Sequence, residues 1–357
     1  MSLITNPDPF VAEAAAIRLA SYYKRQNQPE KLREALLKYG NSFLKVSETA
    51  SALVGSAWLQ KVYSTYLNFG LKSDADSIAT VLRRINQRSP QELKKVSHKM
   101  EIPAEKIEKH ISSMLEGDFA QVLSKIAFCY IPKRGEAEKQ IKELSRKFVL
   151  QYLVKTVIQD HKGRPVAQIG PVKDDLEGHI VRQISQNMSF LSFFLRAVID
   201  RFKKKFSPSD EDLVKYLYEF PVFAEDKKEI ISKGLKAYLD EDYPVGVHLL
   251  VPQIEDSLRN IIVMSGGNVN KPGRSGGLNL KTFGEILRDK IMTDVFNEDI
   301  AYYLRVLFTD PRGLNLRNRV CHGFIPGQQF KSEITDRVFH GLLLLGQVRP
   351  QKDRNSV

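Results

Sequence analysis

The chain has 357 residues, 42% hydrophobic and 27% charged, the mix of a globular protein long enough for two or three packed units and a core that needs no staple. Its two cysteines, Cys129 and Cys321, form no CxxC pair, which argues for a reducing compartment and against a zinc site, and its longest aliphatic run, LLLL at 342–345, is too short to span a bilayer. A formal net charge of +12, from 54 basic and 42 acidic residues, favours polyanionic partners through counterion release, and residues 301 onward are locally basic, with 9 basic against 4 acidic residues.

The first residues, MSLITNPDPFVAEAAAIRLA, have no basic stretch ahead of an apolar run, so no signal peptide is expected and the cytoplasm is the default location. Prolines fall mainly between apolar-periodic segments and alternating runs are scarce, so a mostly α-helical chain is expected. Residues 1–118 read as helical hairpins. AEAAAIRLASYYKRQNQ pairs with PEKLREALLKYGNSFLKV, with Pro29 in the first turn of the second helix, and SALVGSAWLQKVYSTYLNFGL pairs with SDADSIATVLRRINQ, with Ser73 or Asp74 as cap. The pairs Tyr22/Tyr23 and Tyr63/Tyr66 recur about 40 residues apart, the spacing of a helix-turn-helix repeat, although two copies do not make a solenoid. This region is a candidate surface for a protein partner.

A middle region, 119–221, continues with helices and breaks at VIQDHKGRPVAQIGPVKDD, where two short apolar runs flank DHKGR and predict one small β-hairpin with Gly163 in its turn. A long amphipathic helix follows. Ile180, Ile184, Met188, Leu191, Leu195, Val198 and Phe202 step by three or four along one stripe, and Lys203–Lys205 close the helix, where cations suit its dipole. Asp174, Asp175, Glu177 and His179 at its start have the chemistry to hold a divalent cation, but acidic residues there are more often caps and dipole partners.

Residues 222–357 read as a helical bundle with helices at 225–240, 244–264, 281–290, 292–308, near Asn315 and at 332–347. The loop SGGNVNKPGRSGG, 265–277, lacks the GK[ST] ending of a phosphate loop and does not follow a strand, so a mobile loop is expected. The stretch LNLRNRVCHGF, 314–324, carries the most chemistry. A bare R-x4-H pair arises by chance roughly 0.4 times in a chain of this composition; requiring Asn after the Arg and Gly after the His lowers that to about 0.001. TDPRG supplies a turn, Asn315 an N-cap, and Gly323 a stop that places His322 at the helix C-terminus. On such a helix Asn318 and His322 share a face, whereas Arg317 lies about 140° away from His322.

Arg and His together suit phosphodiester chemistry. The guanidinium is a fixed fork of donors for a phosphate whose charge grows in the transition state, and an imidazole takes a proton from a ribose 2′-hydroxyl or returns one to the leaving 5′-oxygen. RNA, with its own nucleophile, would be cleaved without a metal or other cofactor; DNA would not. The ordinary alternative is an arginine that caps carbonyls and a histidine held by one hydrogen bond.

Arg317-Asn318 and His322-Gly323 resemble the R-x4–6-H signature of the HEPN superfamily of helical bundles. More narrowly, they are similar to the RNxxxHG signature of a domain of unknown function whose members include an endoplasmic-reticulum-associated RNA degradation protein. DYPVGVHLLVPQIEDSLRNIIVMSGG, 242–267, resembles the helix that precedes the motif in that family, and similarity extends over roughly 120–350; the first 110 residues resemble tetratricopeptide-type hairpins loosely. The resemblance implies a metal-independent endoribonuclease, of the kind found in toxin and antiphage systems. It further implies a homodimer whose two motifs meet in one cleft, so that one His322 acts as base and the other as acid and the product is a 2′,3′-cyclic phosphate. It gives Arg317, His322 and Asn318 as catalytic, Asn318 orienting a phosphate oxygen or His322. His248, Glu255 and Arg259, which share one face of the preceding helix, are candidates to support the site or hold RNA, Glu255 by orienting the base; Arg319 joins them. A salt-bridged surface face is the equally good structural reading of that trio. The alternative function is a non-catalytic HEPN-type module that binds RNA or protein.

Overall fold

The computed structural model describes residues 2–94 and 101–349 and is mostly helical, with two two-stranded sheets. It divides into two compact units, described in turn.

The N-terminal unit holds α1 (Pro9–Arg25), α2 (Pro29–Thr49), α3 (Ala52–Asn68), α4 (Lys72–Asn86) and the single turn α5 (Ser89–Glu92), each packed on its neighbour in sequence. Asp8 caps α1, and Ala12, Ala16 and Ala20, spaced by four, give it a flat buried stripe. Pro29 opens α2 as expected, because a first-turn residue has no helical acceptor for the N–H that proline lacks. Gly40 is needed in the middle of α2, where a Cβ would overlap the Tyr66 hydroxyl of α3, which donates to Leu36 O at 3.1 Å. Neither Ser73 nor Asp74 caps α4. The helix starts earlier, at Lys72 after an uncapped Leu71, and this leaves the Asp74 carboxylate to accept from Arg33 of α2 at 2.9 and 3.1 Å.

The expected hairpin is present as β1 (Thr156–Gln159) and β2 (Pro165–Ile169), and its Val157–Ala167 portion packs with the N-terminal unit. The Asp160 carboxylate accepts the N–H groups of Lys162 and Arg164, each at 2.9 Å. Gly163 turns the chain at φ +73°, and a Cβ there would overlap the Asn86 carbonyl oxygen at the end of α4.

The second unit contains α6 (Ala104–Met114), α7 (Phe119–Cys129), α8 (Arg134–Lys147), α9 (Val149–Leu153), α10 (Leu176–Phe206), α11 (Asp210–Leu217), α12 (Lys228–Leu239) and α13 (Tyr243–Met264). After β3 (Asn270–Pro272) and β4 (Leu278–Leu280) come α14 (Phe283–Ile286), α15 (Lys290–Phe296), α16 (Glu298–Phe308), α17 (Leu316–Cys321) and α18 (Ser332–Leu345). One continuous hydrophobic core runs through it, so the expected boundary between residues 221 and 222 has no counterpart in the packing. The stripe of α10, assigned to the middle region, packs on α18 of the expected C-terminal bundle. That stripe is otherwise as read, with Ile180, Ile184, Met188, Leu195, Val198 and Phe202 buried and Leu191 half-buried.

Three local expectations are corrected here. The glycine-rich stretch is no free loop: β3 and β4 pair antiparallel with Asn270 opposite Leu280, and glycines at φ +75°, +81° and +73° (Gly266, Gly276 and Gly277) make its turns. The helix expected over 281–290 is a single turn, α14, capped by Thr282 and Glu285. The one over 292–308 is two helices, α15 and α16, parted at Asn297, whose φ of +71° ends one while its side chain caps the other.

The centre of the unit is α18, buried on all sides from Thr335 to Leu345. It carries three ionisable side chains into the core. Arg337 donates to Ser192 Oγ at 3.1 Å, Tyr130 O at 2.9 Å and Met188 O at 2.6 Å. Tyr238 donates to Asp336 at 2.8 Å, and Tyr303 bonds His340 Nδ1 at 2.8 Å. These bonds tie α18 to α7, α10, α12 and α16.

Candidate active site around Arg317 and His322

The turn before the motif is built on Asp310. Buried at 1% exposure, it accepts from the backbone N–H, Nε and Nη2 of Arg312, each at 3.0 Å. Burial works to raise this carboxyl, and the Arg312 guanidinium overcomes it and holds it below the usual carboxylate range. Gly313 passes so close to α16 that a Cβ would overlap the Val306 carbonyl oxygen.

α17 begins where the sequence placed it, but not by the expected cap. Asn315 sits at the N-cap position in the left-handed region, φ +47°, and its side chain caps no N–H; its Oδ1 accepts from Asn318 Nδ2 at 2.8 Å. Leu316 and Val320 anchor the short helix in the core. Its end is a Schellman turn: Gly323, at φ +65°, donates to Val320 O at 3.0 Å, and Phe324 donates to Arg319 O at 2.7 Å. His322 is therefore the C-cap that closes the helix, at its C-terminus as expected, and its exposed ring lies against Phe324 at 5.7 Å between centroids.

Arg317 points toward α13. Its Nε donates to Glu255 Oε2 at 3.1 Å and its Nη1 to Asn318 Oδ1 at 3.3 Å. Glu255 is 8% exposed, and its other oxygen takes Arg259 Nη2 from one turn along α13; the Arg259 Nε, also buried, has no hydrogen-bond partner among the described residues. Glu255 is thus a shared anchor for two arginines. The expectation that it orients a histidine base is corrected: its oxygens are taken by guanidinium groups, and His322 stands on another side of α17. The salt bridge of the structural reading is present between Glu255 and Arg259, but only part of the face is at the surface: His248 is exposed, Arg259 half-buried and Glu255 buried.

His248, two turns before Glu255, is apart from that pair. Its Nδ1 lies 2.7 Å from Pro244 O and its ring 5.2 Å from Phe330, a residue beyond the motif that sequence reasoning did not single out. Arg319 donates to Gln329 Oε1 at 3.0 Å, and burial lowers its pKa. The 314–330 segment thus folds back along α13, with Arg317 at Glu255 and Phe330 at His248.

No family model, curated protein or solved structure matches the chain.

The rival carboxylate cluster is consumed by structure. Asp175 caps α10 and accepts from Gly170 N at 3.1 Å; Glu177 pairs with Arg305 and with Arg134; His179 Nε2 bonds Gly170 O at 2.9 Å. Among the described residues no group of three or more His, Cys, Asp or Glu side chains is placed to hold a metal. Two lysines of the 203–205 run are likewise engaged, Lys203 over the Tyr238 ring at 4.4 Å and Lys205 on Leu115 O at 2.7 Å. Among the described residues no helix is long and apolar enough to cross a membrane.

Proposed function

We propose that the chain is a metal-independent endoribonuclease of HEPN type, with catalytic groups Arg317, Asn318 and His322, working as a homodimer in the cytoplasm as a toxin-like effector of antiphage defence. On this reading the second unit contains a HEPN-like bundle and the N-terminal helices are tetratricopeptide-like hairpins offering a surface to a protein partner. One observation carries it. Glu255 grips Arg317 by its Nε edge, which fixes the guanidinium and leaves Nη2 unengaged by Glu255 or Asn318, while the helix end presents the imidazole of His322 to solvent.

In the reaction one His322 takes the proton of the 2′-hydroxyl as its oxygen attacks phosphorus. The P–O5′ bond breaks, and the partner subunit's His322 gives a proton to the departing 5′-oxygen, leaving a 2′,3′-cyclic phosphate and a 5′-hydroxyl. Arg317, aided by Asn318, bears the charge that builds on the non-bridging oxygens. The divergence of Arg317 and His322 around α17 is why a second copy is needed.

Purified protein is expected to cleave single-stranded RNA in the presence of EDTA, leaving cyclic phosphate ends, and Arg317→Ala and His322→Ala to lose cleavage with the fold intact. Cleavage by both variants at the wild-type rate, or activity abolished by EDTA, would falsify the mechanism. A non-catalytic RNA- or protein-binding module is the second reading, favoured by the internal engagement of Arg317 with Glu255 and Asn318. It predicts RNA binding with no product at any enzyme concentration.

A further inference from the structure

We propose that His248 and Phe330 form a nucleobase-binding subsite beside the Arg317 phosphate position, which reads base edges that offer N–H donors; the proposal rests on the RNA reading above. The two rings are 5.2 Å apart and tilted by 41°. Phe330 is half-buried against the core of its unit, whereas His248 is exposed. An exposed ring that is free to rotate makes a poor platform, because ordering it offsets what stacking contributes. This ring is already held. A carbonyl oxygen only accepts, so the 2.7 Å contact to Pro244 O requires His248 Nδ1 to carry the proton. That holds the ring's orientation and, of the two neutral tautomers, selects the one with its proton on Nδ1. It also leaves Nε2 as a hydrogen-bond acceptor on the open edge.

Position selects the role. His248 and Glu255 are seven residues apart on α13, nearly the same angle around the helix and about 10 Å along its axis at 1.5 Å per residue. A group that far from the Glu255–Arg317 anchor does not reach the same phosphorus, so His248 is no base or acid for that bond. It is placed for flanking nucleotides: one base stacks on the free face of the imidazole, Phe330 standing against the other face, and the edge of the next base meets Nε2 in the plane of the ring. Adenine and cytosine bring exocyclic amines to the Nε2 acceptor; a uracil edge opposes it with carbonyl oxygens on either side of its single N–H.

The test uses the full chain and 2′-O-methyl oligonucleotides, which lack the nucleophile and cannot be cut, with dissociation constants read by fluorescence anisotropy. His248→Ala and Phe330→Ala are expected to weaken oligo-A or oligo-C binding by roughly 5- to 150-fold, the range for one lost stack, with little change for an abasic oligomer. His248→Phe is expected to keep most of the affinity and lose the preference for A and C over U. Arg317→Ala/His322→Ala is expected to abolish cleavage and retain that preference. The subsite is overturned if the His248 and Phe330 variants, folded by circular dichroism, bind with wild-type affinity, if they lose affinity equally for the abasic oligomer, or if the wild type binds none of the probes. The two readings separate cleanly: base-selective binding by a chain that never cleaves removes the nuclease and keeps the subsite, and cleavage untouched in rate and base preference by His248→Ala removes the subsite alone.

Discussion

Glu255 is the residue on which the site turns. Its carboxylate is nearly buried between two guanidinium groups, Arg317 at 28% and Arg259 at 19% side-chain exposure. Removing a buried partner from such a triad leaves the opposite charges desolvated and unpaired. Glu255→Ala is expected to cost about 2–3 kcal/mol in urea denaturation, the lower side of what a fully buried pair shows because both arginines retain some solvent. Adding Arg317→Ala is expected to recover part of that loss, a coupling of about 1 kcal/mol or more in the double-mutant cycle. Strict additivity of the two would show that the contact has no energetic weight. A second residue-scale expectation concerns Gly323. With φ at +65° and open space where a Cβ would go, Gly323→Ala meets no clash, only the left-handed backbone, and is expected to lower stability by about 1 kcal/mol. A change within a few tenths would mean the Schellman turn does not hold His322 in place. At this scale the sequence was read well where chemistry is local. Arg317, Asn318, His322 and Gly323 lie in one window, and their order was enough to place the helix and its stop. What failed was contact between windows: seven- and four-residue steps put Glu255 and Arg259 on one face, but nothing in α13 says that the carboxylate faces an arginine 62 positions later rather than a histidine. Phe330 had no signal at all, since only the backward fold of 324–330 brings it to His248.

Among the elements, α10 and α18 mark the two extremes of legibility. The apolar steps of α10 are regular, and six of its seven stripe residues are buried. α18 looks amphipathic on paper, with Asp336, Arg337 and His340 as its polar positions, yet all three are in the core, because α7, α10, α12, α13 and α16 supply partners from every direction. Asn297 shows the complementary failure: a continuous apolar pattern over 292–308 conceals a break that one left-handed residue makes. The buried pair on α18 has a consequence in acid. Burial, opposed by the Tyr238 hydroxyl and by Arg196 and Lys203, pushes the Asp336 carboxyl up to about 6; burial, helped by Arg337, pushes His340 down to about 3. Between roughly pH 6 and 4 the folded chain holds a proton on Asp336 that the unfolded chain has released, so this group's contribution to stability rises as pH falls. His340 acts in the opposite sense: from about pH 6.5 downward the unfolded chain takes a proton that the folded chain refuses, and stability falls. The two largely offset over pH 4–6. Comparing wild type with Asp336→Asn isolates the first, because every other group cancels. The stability of the variant relative to wild type is expected to drop by about 2 kcal/mol between pH 7 and pH 4.5, at about 1.4 kcal/mol per pH unit below 6. A difference independent of pH would mean that burial does not raise the Asp336 carboxyl above its unfolded value.

At the scale of the whole molecule, the hairpin and the motif raise different requirements. Residues 157–167 leave the second unit in sequence and pack with the first, where the glycine at the tip meets the end of α4; a turn signal in DHKGR foretold the hairpin but not where it docks. Where the order of apolar-periodic segments and turns suggests three regions, the chain packs as two units, because a core can join segments far apart in sequence, as α10 and α18 do, and a boundary drawn along the chain does not register that. The nuclease reading asks something of the molecule that no single copy supplies. α17 has six residues, its arginine is committed to α13, and its histidine leaves on another side at the Schellman turn. If two copies must bring two His322 side chains to one phosphodiester, cleavage follows the concentration of dimer, not of chain. On dilution, specific activity is then expected to be flat while the dimer persists and to fall in proportion to chain concentration once monomer dominates, with the break at the dissociation constant measured independently by sedimentation. Substrate should shift that break to lower concentration, since RNA that binds only the composite cleft stabilises the dimer by mass action. Specific activity that stays constant well below the measured dissociation constant would show that one chain suffices, and the base and acid would then have to be sought on the same copy as Arg317.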